Sequence, residues 1–160
     1  MSSSSLAPRR FRSKTLTAAL AFLLGSLGAH RFYLYGWRDL FGWAHLLATI
    51  VGIPGFLLLA ASQHADGLAS AGLGWWLAIP GAISLLAAFL AAIVYGLRAD
   101  DKWDAQFNGD TGKQSRSGWT VVFVVIFSLL IGAFLLMSAL AISFQTYFES
   151  QIEAAKQISQ

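Results

Sequence analysis

Cysteine is absent from this chain, so disulfides, thiolate nucleophiles and cysteine-ligated metals are excluded. Charge is scarce. Asp, Glu, Lys and Arg make up 12% of the 160 residues, about half the share in a soluble domain. None of them lies within the four long apolar runs described below. Ion-coupled transport ordinarily uses such a residue at depth, so this absence weighs against it. Also missing are the Gly-x-Ser-x-Gly elbow, the His-Glu-x-x-His pair and the lysine-containing phosphate loop. Those patterns carry nucleophilic, zinc and nucleotide chemistry. No catalytic residue, cofactor or metal is assigned, and the protein reads as a non-enzyme.

What is present is apolar. Hydrophobic residues make up 56% of the chain, and a chain this short has too little interior to hide them from water. The lipid bilayer is the expected partner. The formal charge of +3 is small and its residues flank apolar segments. That suits contact with a membrane surface and not nucleic-acid binding.

The fold class that follows is all-α: a polytopic helical membrane protein with four apolar segments. A spanning helix needs about 20 apolar residues. Residues 40–62, 75–97 and 119–144 meet that requirement. Residues 15–29 fall short, at roughly 22 Å of helix. They read as either a short N-terminal span or a re-entrant hairpin arm. Trp37, Trp43, Trp75, Trp76, Trp103 and Trp119 bracket the segments as an interfacial belt. Around them lie a basic flexible N-terminal arm (1–14), a short loop (63–74), a polar loop (98–118) and an amphipathic tail (145–160). The tail repeats Phe144, Phe148, Ile152, Ala155 and Ile158 at helical spacing, and reads as an interfacial or partner-binding helix. Met1 to Lys14 followed by an apolar run also has the outline of a signal peptide, but the segment is expected to be retained.

Charge placement separates two topologies, because Lys and Arg favour the cytoplasmic side. With four spans they divide five against six, and the rule does not choose. If 15–29 dips in and returns, Arg9, Arg10, Arg12, Lys14, Arg31, Arg38, Arg98, Lys102, Lys113 and Arg116 share one side and Lys156 takes the other. Non-helical backbone at depth must then be covered by protein.

Several residues stand out. His30, Arg31, Phe32 and Tyr33 follow the glycines Gly25 and Gly28. Arg31 is read as a lipid-phosphate contact, a helix cap or a topological stop. His45 is the intramembrane polar candidate, although His30, His45 and His64 are too scattered to argue a metal site from spacing. Pro54 should bend or interrupt the second apolar segment, while Pro80 falls near the start of the third, where it is nearly harmless. Trp103 and Phe107 share one face of a short helix, with Asp100, Asp101 and Asp104 facing water. Gly25 with Ala29, and Ser84 with Ala88, are small pairs that let membrane helices approach.

The elements Arg12-Ser13-Lys14-Thr15, Gly25-Ser26-Leu27-Gly28-Ala29-His30-Arg31-Phe32-Tyr33-Leu34 and Leu40 to Ala61 together resemble the TM-two domain. In that family paired membrane helices flank a turn with a (Asp/His)-Arg-Phe triplet. The run Trp103-Asp104-Ala105-Gln106-Phe107-Asn108 is similar to one that follows the third apolar segment in bacterial NINE proteins, which carry an N-terminal TM-two domain. The resemblance covers residues 10–108. It implies a multi-pass protein of the bacterial inner membrane, with two true spans joined by a cytoplasmic turn, and no assigned biochemical role. The function expected is an interaction or membrane-organising module, acting through a protein partner or self-association of its helices. The candidate contacts are His30, Arg31, Phe32, Tyr33, Trp103, Asp104 and Phe107. The alternative is a small oligomeric transporter or channel built around His45 and Pro54.

Overall fold

The computed structural model describes residues 10–62 and 68–158. Among them the chain forms six α-helices and one 3-10 turn: α1 (Lys14–Leu24), the turn (Gly25–Leu27), α2 (Ala29–Tyr35), α3 (Leu40–Ser62), α4 (Leu68–Leu97), α5 (Asp100–Phe107) and α6 (Trp119–Ile158). Three of these, α3, α4 and α6, are long and apolar enough to cross a membrane, and α1 with its 3-10 turn is shorter.

α1 starts at Ser13, which has extended backbone and a hydroxyl that accepts the Leu16 N–H at 3.3 Å. This satisfies one of the orphan donors of a helix start. The apolar run stops where Gly28 turns the chain with φ +76°, its N–H bonded to the Gly25 carbonyl at 2.9 Å. Only glycine suits that spot, since a Cβ there would lie 2.3 Å from the Gly42 carbonyl oxygen. α2 then returns toward the start of α1, so that the Ser13 N–H donates to the Tyr33 hydroxyl at 3.0 Å. The open ends of α1 and α2 therefore lie together.

The tip of this hairpin docks midway along α3 and α4. The Ser26 carbonyl accepts from Thr49 Oγ1 at 2.6 Å and from Ser84 Oγ at 3.2 Å. Thr49 lies about 14 Å along α3 from its first residue, at 1.5 Å per residue. Gly25 sits against Ala88, where an added Cβ would meet the Ala88 Cβ at 2.6 Å. Of the small residues singled out from sequence, Gly25 thus meets Ala88, while Ser84 meets Ser26, the neighbour of Gly25.

α4 is the central element, packing against α3, α1, the 3-10 turn and α6. It crosses α3 where Gly52 faces Gly81 and Gly55 faces Ala78. Both prolines lie within this crossing, Pro54 between Gly52 and Gly55 and Pro80 between Ala78 and Gly81. Pro54 lies inside α3 without interrupting it. Pro80 differs from expectation: the helix begins at Leu68, not Trp75, so Pro80 lies in the helix interior, well past the first turn. Residues 68–74 of the anticipated loop are helical for the same reason. α6 continues unbroken from its apolar half into the tail as far as Ile158.

Candidate functional site

The polar chemistry gathers where α1 begins, α2 ends, α3 begins and α4 ends. Arg31 is the first element of it. Its Nε and Nη2 donate to Asp39 Oδ2 and Oδ1 at 2.9 and 2.8 Å, a bidentate fork. The same Asp39 Oδ2 accepts the Gly42 N–H at 2.7 Å, capping the first turn of α3. The guanidinium also lies 4.6 Å from the Tyr35 ring centre and 4.9 Å from that of Phe41. The Arg31 hydrogen bond holds the Asp39 carboxyl below its ordinary range, against the opposing effect of burial. The Nε–Nη2 edge of the Arg31 guanidinium is thus taken by Asp39. Phe32 stacks on Trp37 at 4.9 Å and meets Trp43 edge-on at 5.6 Å.

A second network bolts the N-terminal arm to α5. The Arg12 N–H donates to Asn108 Oδ1 at 2.8 Å, and the Arg12 carbonyl accepts from Asn108 Nδ2 at 3.1 Å and Trp103 Nε1 at 2.8 Å. The Arg12 guanidinium donates to the Tyr33 carbonyl. Trp103 is fully buried, with Phe107 at 4.5 Å and Tyr95 at 5.9 Å. Buried Lys14 donates to the Arg98 carbonyl at 2.7 Å and pairs with Asp100 at 2.6 Å. An ammonium out of water requires such partners.

The loop aspartates divide. Asp101 is exposed as expected. Asp100 and Asp104 do not simply face water. Asp100 takes Lys14 and both the N–H and hydroxyl of Ser117; Asp104 takes Asn108 Nδ2 and both donors of Ser115. The spacing argument missed this because their partners lie outside α5, in the arm and in residues 115–117. Burial pushes the Asp100 carboxyl up, but the Lys14 and Ser117 hydrogen bonds outweigh it and bring it down to about 2. Asp104 is lowered likewise, by Ser115 and Asn108 against burial.

The third feature is a histidine pair. His30 and His45 rings lie 5.4 Å apart, edge to face, with Tyr95 5.9 Å from His30. His45 Nδ1 and Ser84 Oγ are 2.8 Å apart, linking the pair to the Ser26 carbonyl at the hairpin tip. His30 is buried and its Nδ1 has no hydrogen-bond partner. Fifteen positions separate the two residues, and they looked scattered in sequence. They are equidistant from the centre of the turn at residues 36–39, which is the signal that would have paired them across a helical hairpin. His64 lies outside the described residues. Among the described residues no group of three or more His, Asp or Glu side chains is placed to hold a metal ion.

The fold and the apolar helices define a polytopic, all-helical membrane protein of the multi-pass type. Within it, residues 10–61 match the family model of the TM2 domain. The match takes in the arm from Arg10, the hairpin and α3, and it stops before α4 and the α5 network. No curated protein and no solved structure matches the chain.

Proposed function

We propose that this protein is a non-enzymatic interaction or membrane-organising module of the bacterial inner membrane, of the NINE-protein kind. Its TM2 hairpin dips into the bilayer and returns, and a partner meets the cytoplasmic face where the hairpin opens. One observation carries this reading: residues 12–14, Tyr33 and α5 are joined by direct hydrogen bonds at one end of the molecule. Segments bonded in this way share one side of the membrane. Every Lys and Arg except Lys156 then falls on that side or close to it, as the positive-inside rule favours. Hydroxyls from α3 and α4 cover the Ser26 carbonyl, which is what backbone at membrane depth requires. The face also has the makings of a docking surface. A platform tied together by these hydrogen bonds presents exposed aromatics, with Trp37 72% and Tyr35 48% accessible.

The chain has no native cysteine, so single cysteines give clean topology markers. At Ser4 and Thr111 they are expected to resist an impermeant thiol reagent in intact cells, and at Ser150 to react. Labelling of Ser4→Cys and protection of Thr111→Cys would overturn the hairpin topology. A photoreactive side chain at Trp37 is then expected to capture a protein or a second copy of the chain. Capture of lipid alone would overturn the partner reading.

The His30–His45 contact is the specific observation favouring the second reading, a small oligomeric transporter, because it places two ionisable rings side by side. Proton- or substrate-dependent flux in liposomes that is abolished by His45→Ala would support it. Absence of flux would end it.

A further inference from the structure

One recess on the same end of the molecule borders these networks and shares Arg12, Tyr35 and Phe107 with them. It lies between the N-terminal arm, the end of α2 and α5, has a volume of about 330 Å³, and is lined by Arg10, Arg12, Leu34, Tyr35, Gln106 and Phe107. That is within the size range of small-molecule sites. Two arginines and one glutamine are among its described lining residues, and no Asp or Glu is. Asp39 is engaged by Arg31, Asp100 by Lys14 and Ser117, and Asp104 by Ser115 and Asn108. The described lining of the recess therefore carries net positive charge.

Its two halves differ in character. Arg12 is held in place by the Tyr33 carbonyl and lies 5.3 Å from the Tyr33 ring centre, so its fork is already oriented. Buried Leu34 and the Tyr35–Phe107 edge contact, 6.2 Å between ring centres, form an apolar wall beside it. Its depth is fixed too. α1 enters its apolar run at Lys14, two residues after Arg12, and α2 ends at Tyr35, so the recess lies at the level where the hairpin meets water. A planar cationic fork beside an apolar wall at a membrane face is matched by an anion carrying acyl chains.

We propose that this recess binds the phosphate of an anionic phospholipid, with Arg10 and Arg12 on the phosphate oxygens and Leu34, Tyr35 and Phe107 against the glycerol ester. The ligand chemistry is a phosphate ester. The apolar wall selects a lipid over a soluble phosphate, and the net positive charge of the described lining disfavours headgroups that carry their own cation. The site goes beyond the partner-binding reading and does not depend on it.

The test uses the full chain in neutral detergent, titrated with dihexanoyl phosphatidylglycerol, dihexanoyl phosphatidylcholine and glycerol 3-phosphate. The phosphatidylglycerol is expected to bind at least tenfold tighter than either of the others. Arg10 is exposed and precedes the first helix, so Arg10→Gln leaves the fold intact. It is expected to weaken phosphatidylglycerol binding roughly tenfold, the usual loss for one charge-assisted hydrogen bond. Lys102→Gln, on α5 but outside the recess, is expected to change it less than twofold. Unchanged binding in Arg10→Gln, or an equal loss in Lys102→Gln, would show diffuse surface attraction and overturn the site. Equal affinity for glycerol 3-phosphate would assign it to soluble phosphates and overturn the lipid. A protein captured at Trp37 would bear on neither result.

Discussion

The hairpin end and α6 are built on opposite terms. At the hairpin end, Lys14, His30, Trp103 and Asn108 are buried, and each makes polar or aromatic contacts across elements far apart in sequence. α6 is longer than any other helix in the described residues, yet it buries only Val121 and Ser128. It meets α4 through its first half, where Gly96 receives Val125 and Gly132 faces Phe89. Beyond that an apolar groove of about 310 Å³, lined in part by Phe56, Trp75, Leu135 and Ser138, separates it from α3 and α4. The difference follows from the solvent. Lipid solvates an apolar helix as well as another helix does, so membrane association depends on close packing and polar bonds. The hairpin end has both, whereas α6 has close packing near its start and leaves its buried Ser128 hydroxyl without a hydrogen-bond partner.

The largest expected effect breaks the hairpin end. Trp103→Ala removes a fully buried ring that also donates to the Arg12 carbonyl, and should cost about 3–5 kcal/mol. Denaturation in mixed micelles measures this. Limited proteolysis should show cleavage within residues 10–13 in the variant and not in the parent. A loss below about 1 kcal/mol would mean that the arm is held by something other than α5.

The hairpin tip ranks next. Gly28→Ala places a Cβ in a left-handed conformation and against the Gly42 carbonyl. The conformation alone costs roughly 1–2 kcal/mol, and the clash adds to it. Gly36 also has positive φ, at +80°, but with ψ −178° it occupies a region open essentially to glycine alone, so Gly36→Ala should lose stability through backbone strain although nothing lies within 4 Å of it. If Gly28→Ala loses no more than the roughly 1–2 kcal/mol of its left-handed conformation, the tip does not press on α3 as described.

Much of this contrast was legible in the sequence, and the illegible part has a common cause. The four apolar segments, the short first one and the turn at Gly25–Gly28 are local patterns, and each reappears as an element. Trp103 and Phe107 were placed on one helical face by spacing, and they lie 4.5 Å apart. What spacing did not give were pairings between segments: Arg31 with Asp39, Asp100 with Lys14, Asp104 with Ser115, His30 with His45. A charged residue in a loop looks solvated until its partner is known. The start of α4 at Leu68 was missed because Gly72 and Gly74 weaken a helical pattern that the rest of the helix sustains.

Acid should loosen the hairpin end before it affects α6. The Asp100 carboxyl is depressed in the folded protein, from an ordinary 3.8 to about 2. Its contribution is therefore complete above the ordinary value and is lost as pH falls from about 4 toward 2. Proteolysis of residues 10–13 should rise across that window in the parent and be flat in Asp100→Asn, which is already loosened at neutral pH. A rise that begins near pH 6 would point to the histidines instead.

The smallest effect tests the other side of the comparison. Phe134 on α6 is 70% exposed and Phe89 on α4 is 8% exposed, with Phe89 lying 5.8 Å from Phe22 and against Gly132. In water both truncations would remove apolar burial. In a membrane or micelle the Phe134 ring is in hydrocarbon whether or not the helices are associated, so Phe134→Ala should stay within about 0.5 kcal/mol. Phe89→Ala loses packing against two helices and should cost several times more. If Phe134→Ala is as costly as Phe89→Ala, the exposed flank of α6 is covered in the native membrane. The covering element would then be a partner or a second copy, and loss of dimer in a crosslinking assay of Phe134→Ala would tell which.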